Sequence, residues 1–124
     1  MQMTRQILAY KRYFLDFYEK QTSEVQKKIE WTLQLLRTIE RVPKKYFDHI
    51  TGTDGLYEIR VEYQGNIYRI FAFFDKGNLI ILGNGFQKKT QKTPKSEIEK
   101  ALKIKKEYES TNSKNTKQDN NGKR

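Results

Sequence analysis

The chain has 124 residues, enough for one domain and too few for two of ordinary size, and only 35% of them are hydrophobic. Lys and Arg number 25 against 15 Asp and Glu, a formal charge of +10, which says nothing of fold but points to anionic partners: nucleic acid, an acidic protein or an anionic membrane surface. The lack of cysteine excludes disulfides and thiolate chemistry, and no apolar run reaches the roughly 18 residues that span a bilayer or resembles a secretory signal core, so the expected compartment is the cytoplasm.

Taken in chain order, RQILAYKRY reads as a strand with Ile7 and Ala9 on one side and Leu8 and Tyr10 on the other. In FLDFYEK, Phe14, Phe17 and Tyr18 keep the i, i+3, i+4 spacing of a short helix. SEVQKKIEWTLQLLRTIERVP carries the clearest helical signal. Ser23 is the expected N-cap, Val25, Ile29, Thr32, Leu33, Leu36 and Ile39 form the core stripe, and Pro43 is the stop. KKYFDHITGTDG reads as a loop. The period then drops to two, and LYEIRVEY, IYRIFAFF and NLIILGNGF read as an antiparallel meander rich in β-branched and aromatic residues.

TPKSEIEKALKIKKEY predicts a final helix with Thr93 as N-cap and Pro94 at its first position. Ile98, Ala101, Leu102 and Tyr108 give it a narrow apolar face. From Ser110 no large apolar residue occurs, and such a composition cannot offset the entropy of ordering. Residues 1–109 are therefore the expected domain and residues 110–124 a polar basic tail, expected to be disordered. In that tail Lys114, Lys117, Lys123 and Arg124 stand against Asp119, so +3 of the charge falls there and +7 on the rest. The basic character is not a property of the tail alone.

Arg60 and Arg69 lie inside strands, where a cation facing a core would be costly. A two-residue Gly65-Asn66 loop would pair Gln64 with Ile67, Glu62 with Arg69 and Arg60 with Phe71, setting both arginines diagonally on one sheet face. A three-residue loop would separate them onto opposite faces. Pairing Phe74 with Leu79 in the next hairpin would bring Ile80, Leu82 and Asn84 to the face of Arg69, with Phe86 and Lys88 following. Two readings stay open. The arginines hold a shared anion, or Arg69 pairs with Glu62 while Arg60 finds another carboxylate. The lysine-rich GFQKKTQKTP shares this ambiguity, as a solvated turn or a phosphate site.

The run GLYEIRVEYQGNIYRIFAFFDKGNLIILGNGFQKKTQKTPKSEIEKA resembles the HigB-type branch of the RelE-like toxins, a phage-derived toxin-like family. The likeness rests on GLYEIRV, the YRIF strand, the apolar third strand and the ending GFxKKTxKTPxxEIxxA, and extends more weakly over about Arg5 to Tyr108. It implies an α+β fold: a twisted, mostly antiparallel sheet with helices packed on one face. It also implies the toxin of a type II toxin–antitoxin pair, a ribosome-dependent endoribonuclease (mRNA interferase). Its partners would be messenger RNA on the ribosome, ribosomal RNA and a helix-turn-helix, HigA-type antitoxin, with operator DNA bound only through the antitoxin complex. The family's catalytic basic positions correspond to Arg60, Arg69, Lys88, Lys89 and Lys92. Many relatives carry a late Tyr or His, whereas Tyr108, the only late aromatic here, sits well down a predicted helix. RelE-like folds also include gyrase-poisoning toxins, so the target is not given by fold.

RNA is cleaved without a metal or cofactor when its 2′-OH attacks the adjacent phosphate, which calls for a base, cations around the phosphorane and an acid. Metal-ligand patterns are absent: no Cys, one His, and acidic residues scattered among basic ones. Arginines can grip phosphate oxygens bidentately and stabilise growing charge. A lysine crowded by arginines loses some preference for its charged form, so Lys88 or Lys89 is a candidate base; the alternative is that both only bind phosphate. Phe86 is the candidate for base stacking. Lys92 lies between site and helix, and Lys103 and Lys106 read first as a solvated helix face with RNA contact as the second reading. His49 is expected to have a surface or packing role; Glu58 and Glu62 share the candidate site face, and a carboxylate opposite Arg69 is expected to be a strut rather than a base. A nucleic-acid-binding module without catalysis is the remaining alternative.

Overall fold

A computed structural model describes residues 4–122, with side chains for residues 4–111. The chain forms β1 (Gln6–Ala9), α1 (Tyr13–Glu19), α2 (Ser23–Thr38), β2 (Phe47–His49), β3 (Tyr57–Tyr63), β4 (Asn66–Phe74), β5 (Leu79–Lys88) and α3 (Lys95–Gly122). The five strands make one sheet in the order β1-β5-β4-β3-β2, in which β1 runs parallel to β5 and all other neighbours are antiparallel. This is the expected α+β class.

The stripes predicted for α1 and α2 pack on one sheet face. Phe14, Phe17, Val25, Ile29, Leu33 and Leu36 meet Ile59, Val61, Tyr68, Ile70, Ala72, Ile80 and Leu82 in one apolar cluster. The N-cap of α2 is Thr22, whose hydroxyl accepts from the Val25 amide at 3.3 Å, one residue before the expected Ser23. The helix ends at Thr38, well short of Pro43, where Ile39 turns extended and Arg5 from the N-terminal segment binds carbonyls on both sides of the end. The guanidinium donates to Leu36 O, Ile39 O and Glu40 O at 3.0, 2.7 and 2.6 Å. Helical spacing alone cannot reveal a cap supplied from thirty residues away.

The expectation of helices on one face holds for α1 and α2, while α3 crosses the other. There Ala101 and Tyr108 pack with Leu56, Phe71, Phe73 and Ile81 in a second cluster. The sheet is thus covered on both faces at its β1/β5 side, and the opposite end of the second face is left to polar residues. The expected tail, residues 110–124, falls largely outside the residues with described side chains, and α3 continues as backbone through most of it.

Both hairpins differ from the expected register. The first turns on Gln64-Gly65, both with positive φ (49° and 81°), so Tyr63 pairs with Asn66 and Arg60 lies directly opposite Arg69. Two left-handed residues in succession give the hairpin turn whose twist suits the strands, and Gly65 accepts that conformation without strain. In the second hairpin Phe74 pairs with Ile80, not Leu79, which turns Ile80 and Leu82 toward α1 and α2 rather than toward Arg69. An irregularity between Ile70 and Ala72 then shifts the ladder by one, and Arg69 faces Phe86. Asn84, Phe86 and Lys88 therefore reach the arginine face after all. Phe47–His49, expected in a loop, forms a short edge strand on Tyr57–Ile59, with the Phe47 ring stacked on Tyr57 at 4.9 Å.

Candidate active site

The cross-strand pair Arg60 and Arg69 creates an electrostatic problem, since like charges directly opposite one another destabilise a sheet. Glu58, two residues before Arg60 and on the same face, answers it. Its Oε1 accepts from Arg69 Nε at 3.1 Å and from Arg60 Nε at 3.4 Å, and its Oε2 accepts from the Thr93 hydroxyl at 3.4 Å. Glu58 and Arg69 are 6% and 7% exposed, so this is a buried ion pair. The strut on Arg69 is Glu58 rather than the expected Glu62, which lies opposite Ile67.

The two arginines differ in freedom. Arg69 is enclosed, with its Nη1 donating to its neighbour's carbonyl, Tyr68 O, at 3.2 Å. Burial pushes its guanidinium below the usual value; the Glu58 charge opposes this and Arg60 adds to it. An arginine nonetheless stays cationic at any physiological pH. The Arg60 side chain is 34% exposed, donating to Lys44 O at 3.2 Å and, at the limit of a hydrogen bond, to Asp48 Oδ2 at 3.5 Å. An exposed contact as long as the one to Asp48 exchanges readily for a phosphate oxygen. β2 supplies this arrangement: Asp48 lies on it, and the Arg60 amide donates to Tyr46 O just before it, at 2.8 Å.

Lys88 closes the group from β5. It is half-buried, and its ammonium is held below the ordinary lysine value, first by desolvation and then by Arg69, with Glu58 opposing and Arg60 adding a little. Phe86 lies between, opposite Arg69, with its ring stacked on Phe71 at 5.6 Å and one part still exposed. These four side chains, Arg60, Arg69, Phe86 and Lys88, are brought together. Lys89 and Lys92 are exposed beyond the end of β5. Lys103 and Lys106 are exposed on α3, about 12 and 16 Å along the axis from its first residue.

Several residues join the site in roles other than those expected. Thr93, expected to cap α3, instead spends its hydroxyl on Glu58. Asn84 is buried against the first turn of α3, donating to Glu97 Oε1 at 3.2 Å, while its Oδ1 has no hydrogen-bond partner. Glu58 was legible from its spacing to Arg60, but its sharing required the true register. Tyr108 is excluded from this cluster: it is buried beneath Tyr10 and Phe73 and donates to Asp75 at 2.6 Å. His49 is exposed, with Nε2 at 3.0 Å from Thr53 O and its ring edge-on to Tyr57. Among the described residues no three His, Asp or Glu side chains gather in a metal-holding group. No described helix is long and apolar enough to cross a membrane.

What the arrangement offers is a fixed cation, a displaceable cation and a partly desolvated amine on one sheet face, beside a ring. The sequence of residues 15–106 matches the family model described as Phage derived protein Gp49-like (DUF891). A comparison with curated proteins finds no match.

Proposed function

We propose, from the premise that this chain belongs to the Gp49-like family of phage-derived, toxin-like proteins, that it is the HigB-type toxin of a type II toxin–antitoxin pair. Its activity is cleavage of messenger RNA on the ribosome in the cytoplasm, with growth arrest as the consequence. A helix-turn-helix antitoxin neutralises it, and operator DNA is met only through that complex. The observation that carries the reading is the opposed Arg60–Arg69 pair, bridged by one buried carboxylate and joined by Lys88.

The chemistry follows from those residues. The ribose O2′ attacks the adjacent phosphorus, the P–O5′ bond breaks, and the products are a 2′,3′-cyclic phosphate and a 5′-hydroxyl. Lys88, whose neutral form is favoured first by burial and then by Arg69, accepts the 2′-OH proton. Arg60 leaves Asp48 for a non-bridging oxygen and Arg69 supplies a fixed positive field, so both stabilise the charge that grows on the phosphorane. Phe86 stacks against a base next to the scissile bond. The proton for O5′ comes from the ribosomal complex or solvent.

The test is primer extension on a message translated with and without the purified protein. Breaks that require the ribosome, and disappear on Arg60→Ala with the fold intact by circular dichroism, are the expected result. Intact messages accompanied by DNA damage would instead make this a gyrase poison.

A further inference from the structure

Trp31, the one tryptophan of the chain, is 46% exposed on the outer side of α2. Its ring meets Tyr46 edge-on at 5.6 Å, and the Lys28 ammonium lies 4.2 Å from its centroid. Lys45 lies 5.5 Å from the Tyr46 ring. Aromatic rings left in solvent and interleaved with lysines are the chemistry of a single-stranded nucleic-acid platform, in which bases stack and ammonium groups follow the backbone.

The platform is continuous with the candidate active site. A hollow of about 210 Å³ is lined by Lys28, Lys45, Tyr46, Arg60 and Glu62, so Arg60 borders both places. A second hollow of about 360 Å³ is lined by Glu24, Lys27, Lys28, Trp31 and Tyr63. The path exists because β2 covers β3 only as far as Ile59, leaving the β3 edge beyond Arg60 open to the chain at Lys44–Tyr46. Cations outnumber carboxylates along the way, four (Lys27, Lys28, Lys45, Arg60) to two (Glu24, Glu62).

We propose that the Trp31–Tyr46–Lys28 surface is a binding subsite for single-stranded RNA, holding nucleotides of the strand that passes the arginine pair. This rests on the cleavage reading above but is separable from it. The lysines neutralise phosphates, one base stacks against Trp31 as Lys28 swings off the ring, and Tyr46 braces the indole.

Trp31 reports its own occupancy, since no other indole contributes to the emission. The probe is a 2′-O-methyl oligo-adenylate of about six nucleotides, which lacks the attacking hydroxyl and survives intact. Titration of the full chain should quench the emission saturably, more weakly at higher salt. Trp31→Ala should loosen binding of the fluorescently labelled probe about tenfold. Lys28→Ala with Lys45→Ala should weaken it further and flatten its salt dependence. In ribosomal cleavage, Trp31→Ala should raise the ribosome concentration for half-maximal rate without lowering the rate at saturation.

Flat emission alongside intact ribosomal cleavage overturns the subsite and leaves the proposed function standing. Quenching without any cleavage removes the nuclease reading and keeps the subsite. Duplex RNA binding as tightly as the single strand overturns the proposal. So does a Trp31→Ala protein that binds RNA normally but escapes its antitoxin, which would make the surface a protein contact.

Discussion

Glu58→Gln isolates the charge of the carboxylate that bridges the arginine pair while keeping its shape. Gln retains an oxygen for one arginine and an amide that can still reach Thr93, so the change removes charge rather than volume. The Arg69 contact, at 3.1 Å between side chains only 8% and 7% exposed, is a buried charged hydrogen bond, the kind that contributes about 1.5–3 kcal/mol. The Arg60 contact is longer and its side chain is one-third exposed, so it adds under about 1 kcal/mol. Glu58→Gln should therefore cost about 2–3 kcal/mol, or about 10 °C in Tm for a domain of this size. Urea unfolding followed by Trp31 emission gives the first figure and calorimetry the second. Millimolar phosphate, compared with chloride at equal ionic strength, should recover more stability in the variant than in the parent, because an anion can settle where the carboxylate charge was. A loss under about 0.5 kcal/mol, or phosphate favouring the parent, would show that Glu58 does not hold the two guanidiniums.

Lys88 provides a pH signature. Its folded pKa lies below the unfolded value, so the folded protein binds fewer protons at this group, and stability rises with pH between the two values. The penalty is fully present below the folded pKa and gone above the ordinary lysine value. Lys88→Met should remove that rise, as read from urea midpoints across alkaline pH, and Lys88→Arg should abolish the acid limb of the pH–rate profile. Gly85→Ala places a Cβ 2.6 Å from the Phe17 ring and should cost about 1–3 kcal/mol by overpacking; adding Phe17→Leu should recover part of it, as a double-mutant cycle will measure. Tyr108→Phe removes the hydroxyl bonded to Asp75 and should lower stability by about 1 kcal/mol while leaving message cleavage unchanged.

Local sequence was sufficient wherever the signal repeats within a few residues. The stripe of Val25, Ile29, Leu33 and Leu36, the three alternating strands and the face of α3 all sit where their periods put them, because burying one side of a helix or strand depends on spacing along the chain. The arginines' shared face was legible for the same reason: any two-residue loop puts Arg60 and Arg69 on one side. Their direct opposition was not, since it rests on Gln64 accepting a left-handed conformation beside Gly65.

Tertiary structure decided what joins across the sheet. The Phe74–Ile80 pairing sent Ile80 and Leu82 to the opposite core, the ladder shift between Ile70 and Ala72 then turned Phe86 and Lys88 toward Arg69, and a shift of one residue carries no compositional mark. Glu58 bridging two guanidiniums, Thr93 reaching it from the start of α3, and Arg5 closing α2 are contacts between segments far apart in the chain. Charge and periodicity determined that this protein would be a basic sheet with arginines on one face. Which carboxylate tames them, which lysine is desolvated beside them and which ring lies exposed at the edge follow from strand register, and register is settled by turn geometry and packing together.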